Sequence, residues 1–299
     1  LTFEHCATSL RIRSLKGQIM SSAFADWVGR REEAEDVVTA RQARQMAATL
    51  ESPMADLAEG APLPPLWHWM GWLPETPMGG LGPDGHPARG GFLPPVPLER
   101  RMWAGGRLEF LAPLRIGRPM HRRSTILKVA EKTGSTGRMV FVTVGHEIEG
   151  PEGLAVREEQ DIVYVAMPDR FIPPPPVPAP EGAAWSHPVT MDTVRLFRFS
   201  ALTFNAHRIH FDLPYATGVE KYPGLVVHGP MQAMFLMQAA RAEAGGALPV
   251  RFRFRGVRPM FHFDRVELRG WPAEGGTQAL ATVIGDGICC MQAEIGWTP

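Results

Sequence analysis

The stretch Phe199–Ala239, FSALTFNAHRIHFDLPYATGVEKYPGLVVHGPMQAMFLMQA, decides how the rest of the chain is understood. Asn205, His207, His210 and Asp212 are chemically capable side chains set close together in an otherwise apolar segment. Turn-forming residues follow, Leu213-Pro214-Tyr215 and Tyr222-Pro223-Gly224, and then His228-Gly229-Pro230 opens a long apolar run. Proline suits the first position of a helix, because its missing N–H costs nothing there and its φ is already helical. A helix start leaves backbone N–H groups unpaired at the positive end of the dipole. An imidazole beside such donors combines a proton carrier with hydrogen bonds for an oxyanion.

This arrangement resembles the MaoC-like hot-dog hydratases, or hydratases type 2. Their motif is a Gly-Asp-x-Asn-Pro-x-His run followed, some twenty residues on, by a His-Gly that starts the central helix. On that alignment His210 takes the motif histidine, Asn205 the place of its aspartate and His207 that of its asparagine, while His228-Gly229 is the His-Gly. The form ALTFNAHRIHFD is closer to the subfamily of 3-hydroxyacyl-thioester dehydratases type 2 and mesaconyl-C4-CoA hydratases. The resemblance implies a double hot dog, an α+β fold of two antiparallel sheets, each wrapped on a central helix, in one chain. It also implies a hydro-lyase that interconverts enoyl and 3-hydroxyacyl thioesters.

Hydration of an α,β-unsaturated thioester requires a base for water, a proton for the α carbon and donors for the developing enolate oxygen. An imidazole serves the first need at ambient pH, and main-chain N–H groups serve the third without a metal. His210 is accordingly the expected base, and acid in the reverse direction. The N–H of Gly229 is the expected oxyanion donor, with His228 at the helix entry. Asn205 departs from the motif: it cannot titrate, and its expected part is to hold the water. Asp212, two residues beyond His210, would share its face on a strand and orient it; His207 and Arg208 are supporting candidates. His207-x-x-His210 with Asp212 also allows a zinc reading, but no fourth ligand stands at a characteristic spacing. No metal or redox cofactor is expected. Two other classes compete: a hot-dog thioesterase, disfavoured by an asparagine where an acid would act, and a non-catalytic acyl-thioester binder, which would not need His210. The thioester is carried by coenzyme A or by an acyl-carrier protein, and a dicarboxylic acyl group would need a cation, for which Arg195, Arg198 and Arg208 are nearest in sequence.

Outward from this stretch the chain divides. Met231–Ala242 is apolar on most faces, as a buried helix must be, and Gly245-Gly246 ends it. Val250-Arg251-Phe252-Arg253-Phe254-Arg255 alternates as a strand; its arginines face solvent or, on a sharper reading, coenzyme A phosphates. Further strands are expected at Arg258-Pro259-Met260, Val266–Leu268, Gln278–Ile284 and Ile288–Ile295. Upstream, PDRFIPPPPVPAP cannot enter a helix or central strand and is the clearest linker. The expected divisions are a degenerate hot-dog half over 20–167, the linker over 168–186 and a catalytic half over 187–299. In the first half ARQARQMAATLES predicts a helix capped by Thr39, and strands are expected at Gly106–Phe110, Ser124–Glu131, Val140–Ile148 and Asp161–Ala166, with a hairpin connection across Lys132–Gly137. The Pro- and Gly-rich stretch 61–98 holds an aromatic knot, Trp67 to Trp72, that either pins an excursion or walls an acyl pocket. Thr39 and Arg44 match Thr190 and Arg195 at one offset (190 − 39 = 151), and FRGVRPM echoes FLAPLRIG as a strand entry.

The 299 residues are 44% hydrophobic and 21% charged, with zero formal net charge. That balance suits an ordinary globular protein and favours neither nucleic acid nor an anionic membrane. No apolar run nears the ~20 residues of a membrane span. Three cysteines, Cys6, Cys289 and Cys290, form no disulfide framework, which suits a reducing compartment. Cytoplasm is the expected location; the basic N-terminal stretch ahead of Met20 leaves a mitochondrial transit peptide as the alternative. A homodimer is left open.

Overall fold

The computed structural model describes residues 23–53, 56–134, 137–285 and 287–297. The stretch through residue 22, with Cys6 and the transit-peptide expectation, lies outside them, as do Ser135 and Thr136 of the hairpin connection. The first half contains β1 (Arg31–Asp36), α1 (Ala40–Leu50), β2 (Arg100–Phe110), β3 (Met120–Gly134), β4 (Gly137–Gly150) and β5 (Gly153–Val165). The second contains β6 (Trp185–Val189), α2 (Thr193–Leu202), α3 (Leu213–Gly218), α4 (Gly229–Glu243), β7 (Pro249–Gly256), β8 (Val266–Gly270), β9 (Thr277–Ile284) and β10 (Ile288–Trp297).

Strand order states the internal repeat more clearly than any residue match. One half runs β1-β3-β4-β5-β2, the other β6-β8-β9-β10-β7, and the last strand of each pairs with the other, β2 on β7, to make one antiparallel sheet of ten strands. The two sheets of the double hot dog are therefore joined by main-chain hydrogen bonds. At the seam Gly105 faces Arg255, and a Cβ there would stand 2.5 Å from the Phe254 carbonyl oxygen, so only glycine fits. Phe252 and Phe254 point into the core, while Arg251, Arg253 and Arg255 are exposed, Arg253 beside Glu294. The strand has one solvated face, as expected.

Helix α4 lies on β7 to β10 and buries Met231, Ala233, Met234, Phe235, Leu236 and Met237. Burying the Met, Phe and Leu side chains is worth roughly 1.5–3 kcal/mol each, which fixes this helix on its sheet. Its buried Gln232 accepts a hydrogen bond from Thr282 Oγ1 at 2.8 Å. Gly245 and Gly246, both at positive φ, turn the chain away, with Gly246 N–H on the Arg241 carbonyl. The first half has no such helix among the described residues. In its place the 61–98 excursion packs Leu63, Leu66, Trp67 and Met70 into the main core with Ile116, Met120 and Ile148. Trp69 donates to Glu158 and Trp72 to the Ala34 carbonyl, which pins the excursion.

Several expectations require correction. Thr39 caps α1 in a capping box with Gln42, but its counterpart on α2 is Asp192, not Thr190, so the helices repeat at 192 − 39 = 153. Arg258-Pro259-Met260 is a loop, not a strand, and FRGVRPM and FLAPLRIG leave strands rather than enter them. Arg118-Pro119-Met120 leads into the third strand of its half and Arg258-Pro259-Met260 lies between the second and third of its own, 258 − 118 = 140 residues apart, and both methionines are fully buried. Strand β1, REEAED, has no apolar pattern: it is an edge strand whose Glu33 faces Arg123 across the ladder and binds it at 3.0 Å. The proline run carries neither helix nor ladder strand, yet it is held to the second half: Cys289 N–H donates to Val177, and Arg258 to Pro174.

Candidate active site

His210 ends a single 3-10 turn, Arg208–His210, and is 7% exposed. Its Nδ1 lies 2.7 Å from the Val226 carbonyl oxygen, which can only accept, so the proton is on Nδ1 and Nε2 carries the lone pair. Burial, and then the charges that His228 and His207 would carry, push its pKa well below the ordinary value. The ring is thus a neutral base at working pH, with its tautomer fixed by the main chain.

Beneath it lies His228, stacked at 3.6 Å between ring centroids and 19° between planes. His228 is the N-cap of α4, with Gly229 the first and Pro230 the second helical residue, one place later than the sequence suggests. Pro230 still removes an N–H that would have no helical acceptor. Among the described residues the Gly229 N–H has no hydrogen-bond acceptor, and a Cβ on Gly229 would meet nothing closer than Met291 Cε at 4.0 Å. Space is therefore left in front of the helix start. His228 Nε2 is 2.9 Å from Ser200 Oγ of α2; its Nδ1 is buried without a partner, and burial lowers its pKa to about 3.

Asn205 uses its side-chain carbonyl to accept the His207 N–H at 3.0 Å, an Asx turn that shapes the approach to the 3-10 turn. Its amide nitrogen remains for a ligand. Asp212 does not share a face with His210, because the chain turns between them instead of running as a strand. It caps α3, one oxygen accepting Tyr215 N–H and the other held by Arg208. The expected orienting role of Asp212 is withdrawn, and with it the zinc set that included it.

Sequence reasoning missed the surroundings of His207. Its Nε2 is 3.3 Å from Glu220 Oε1, a carboxylate 1% exposed, whose other oxygen binds Arg100 Nε at 3.0 Å. Arg100 comes from β2 of the first half and also covers the Tyr222 ring. From the excursion of that half comes a second pair, Asp84 and His86, with His86 Nδ1 3.0 Å from Asp84 Oδ2 and its ring 4.2 Å from that of His207. Burial lowers the pKa of His86 to about 4 against the opposing pull of Asp84. Although burial alone would raise it, hydrogen bonds from His86 hold the Asp84 carboxyl well below its ordinary range. Among the described residues Asp84, His86 and His207 are the one trio whose side chains could converge on a metal ion, their ligand atoms within 4.8 Å of one another. No signal in sequence joins positions 84–86 to 207.

An imidazole with a free Nε2 beside an open helix start is an arrangement for proton transfer next to a developing oxyanion. The hydroxyacyl-thioester dehydratase type 2 family profile matches residues 66–262. The chain belongs to this family. It is 46% identical over 283 residues to a mesaconyl-C(4)-CoA hydratase of Chloroflexus aurantiacus, covering 88% of this chain and 99% of that protein. To the mitochondrial hydroxyacyl-thioester dehydratase type 2 of Schizosaccharomyces pombe it is 26% identical, over 67% of this chain and 74% of the relative. A MaoC-like dehydratase structure from Phytophthora capsici superposes with a TM-score of 0.68 at 14% identity, covering 90% and 95% of the two chains. A Mycobacterium tuberculosis protein described as a double hotdog does so with 0.57 at 11% identity, covering 91% and 96%. The fold is the double hot dog, and this dehydratase-family member is a hydro-lyase of the hydratase/dehydratase kind.

Proposed function

We propose that the protein hydrates the double bond of an α,β-unsaturated acyl-coenzyme A thioester, with a short dicarboxylic acyl group of the mesaconyl-C4 type as the first substrate to test. His210 Nε2 takes a proton from water as oxygen bonds to the β carbon. The Gly229 N–H receives the enolate oxygen at the helix start, where the dipole favours negative charge. The observation that carries the reading is the tie from His210 Nδ1 to Val226, which leaves Nε2 as a lone pair in a ring stacked on the cap of that same helix. Similarity to the Chloroflexus hydratase over nearly its whole length supports the choice of acyl group. Of the cations named for its free carboxylate, Arg195 is held by Glu51 and Arg208 by Asp212, whereas Arg198 is exposed. The chemistry needs no metal or redox cofactor, and a cytoplasmic location is kept as part of the proposal.

Turnover of crotonyl-CoA and mesaconyl-C4-CoA, followed by enoyl-thioester absorbance and free-thiol release, tests the reading. Loss of absorbance without thiol is expected, faster with the dicarboxylic substrate; thiol release would instead identify a thioesterase. A homodimer also belongs to the proposal, supported by the exposed side chains of Val194, Phe197, Phe204 and Phe211. Light scattering is expected to give twice the chain mass of 33.0 kDa.

A further inference from the structure

A hydratase moves two protons, one from water and one to the α carbon, and the family motif places an aspartate beside its histidine. Here that position is Asn205, which cannot titrate and whose side-chain carbonyl is already given to the His207 N–H. That leaves a place for a second carrier from elsewhere in the fold. We propose that Asp84 and His86, delivered by the excursion of the first half, form that carrier, with His86 Nε2 exchanging the α-carbon proton.

The excursion is fitted to the catalytic turn at several points. The Arg208 N–H donates to the Asp84 carbonyl at 2.9 Å, and the Arg208 guanidinium to the Pro83 carbonyl at 3.1 Å. Between Asp84 and His86 the chain passes so close to Ala206 that a Cβ on Gly85 would lie 1.9 Å from the Ala206 carbonyl oxygen, and Gly85 also has φ +89°. The tip is closed on itself by Gly82 N–H on the His86 carbonyl and His86 N–H on Asp84 Oδ1. These contacts hold the His86 ring against His207, whose ring in turn adjoins that of His210. An ionised carboxylate can only accept, so Asp84 fixes the proton of His86 on Nδ1 and leaves Nε2 as the lone pair, the same tautomer that Val226 imposes on His210. The two rings differ in what lies behind them. A carboxylate stabilises an imidazolium; a neutral carbonyl does so less. The His86 side chain is also 24% exposed, open to proton exchange with solvent, whereas His210 and His228 are enclosed.

The proposal rests on the reading of His210 given above. In hydration the bare Nε2 of His210 takes a proton from water as the oxygen bonds to the β carbon, and the alkene electron pair moves to form the enolate, its oxygen on the Gly229 N–H. The enolate pair then takes a proton at the α carbon from His86 Nε2, which enters the step as an imidazolium charged from solvent. Dehydration runs each transfer in reverse. One ring gains the proton that the other loses. His207 adjoins both rings, 4.2 Å from that of His86 and 5.4 Å from that of His210, and the exposed edge of His86 resets the pair through solvent.

The test compares wild type with His86→Gln, His86→Ala and Asp84→Asn, each shown to unfold at the wild-type temperature. His86→Gln is expected to lower kcat about 10²–10⁴-fold with little change in KM, and Asp84→Asn to lower it less. Exchange of the α-hydrogen of the 3-hydroxyacyl thioester with D₂O is expected to fall in parallel, and added imidazole to restore part of the His86→Ala turnover. Wild-type turnover or wild-type α-exchange in folded His86→Gln overturns the proposal. So does stoichiometric metal in the purified protein whose removal abolishes turnover, which would make Asp84, His86 and His207 its ligands. Loss of activity in His210→Ala with full activity in His86→Gln overturns this inference alone; full activity in both overturns the reading of the site as well.

Discussion

The two halves use the same strand order, yet among the described residues only the second lays a helix along its own sheet. In the second half, α4 brings a cap histidine and an open N–H against the His210 ring. In the first, the space is taken by the Trp67–Met70 turn, and its histidines meet a different environment. Glu158, 3% exposed, accepts His68 Nε2 at 3.0 Å, Trp69 Nε1 at 2.9 Å and Gln160 Nε2 at 2.9 Å. Burial alone would raise the Glu158 carboxyl, but the His68 hydrogen bond leads the interactions that hold it below its usual range. A carboxylate with three donors satisfies itself and its neighbours; it holds the excursion down. The contrast shows that a shared sheet does not share out chemistry: a free lone pair and a free N–H do, and both depend on how a helix begins. The half without the helix still contributes, through Arg100 behind Glu220 and through Asp84 and His86.

The sharpest separation of the two clusters is expected from replacing one histidine in each. His210→Ala should lower kcat about 10²–10⁴-fold, far beyond the loss in stability that follows from leaving the Val226 carbonyl without its donor. His68→Ala should do the reverse, costing about 1–3 kcal/mol of stability in denaturant titrations because Glu158 loses a buried partner. Gly229→Pro addresses the helix start directly. Proline is tolerated at the first helical position and removes the N–H, so the fold should persist while kcat falls about 10²–10³-fold. Gly229→Ala keeps the N–H and finds room for its methyl, so its loss should be much smaller.

Acid should weaken both halves together. Burial lowers the pKa of His146 in the first half and of His86 to about 4, and that of His228 to about 3, from 6.5. The unfolded chain binds these protons below 6.5 while the folded chain does not, so stability is full above pH 6.5 and falls as the pH drops toward 4. Each group should contribute about 1.4 kcal/mol per pH unit over that window, measurable by urea titration at a series of pH values.

What sequence reveals and what it hides follow from the range of the interactions. Helix α1 was legible because its cap, Thr39 with Gln42, and its apolar face are set within three or four residues. Helix α4 was legible from Pro230 at its start and an apolar run on most faces, and the pairing of His210 with the His228-Gly229 start came from the motif. The offset of 151 failed because the matched Thr190 is two residues from the real cap, Asp192. Strand β1 was illegible because its partner supplies what its own residues lack: the arginines of β3 lie some ninety positions away. Asp212 was misplaced by assuming a strand where the backbone makes a 3-10 turn and caps a short helix. Glu220 and the Asp84–His86 pair carry no local pattern at all: Glu220 reaches His207 across the turn that follows α3, and the pair only through the packing of the excursion on residues 206–208.

The His210 ring sits in the site with its Nδ1 protonated and its Nε2 bare. Nitrogen-15 NMR of histidine-labelled protein, with His210 assigned by comparison with His210→Ala, measures this directly. The expected result is a single Nδ1–H tautomer at neutral pH that stays uncharged as the pH falls well below 6.5. An Nε2–H tautomer, or a ring that takes up its proton near pH 6.5, would contradict it.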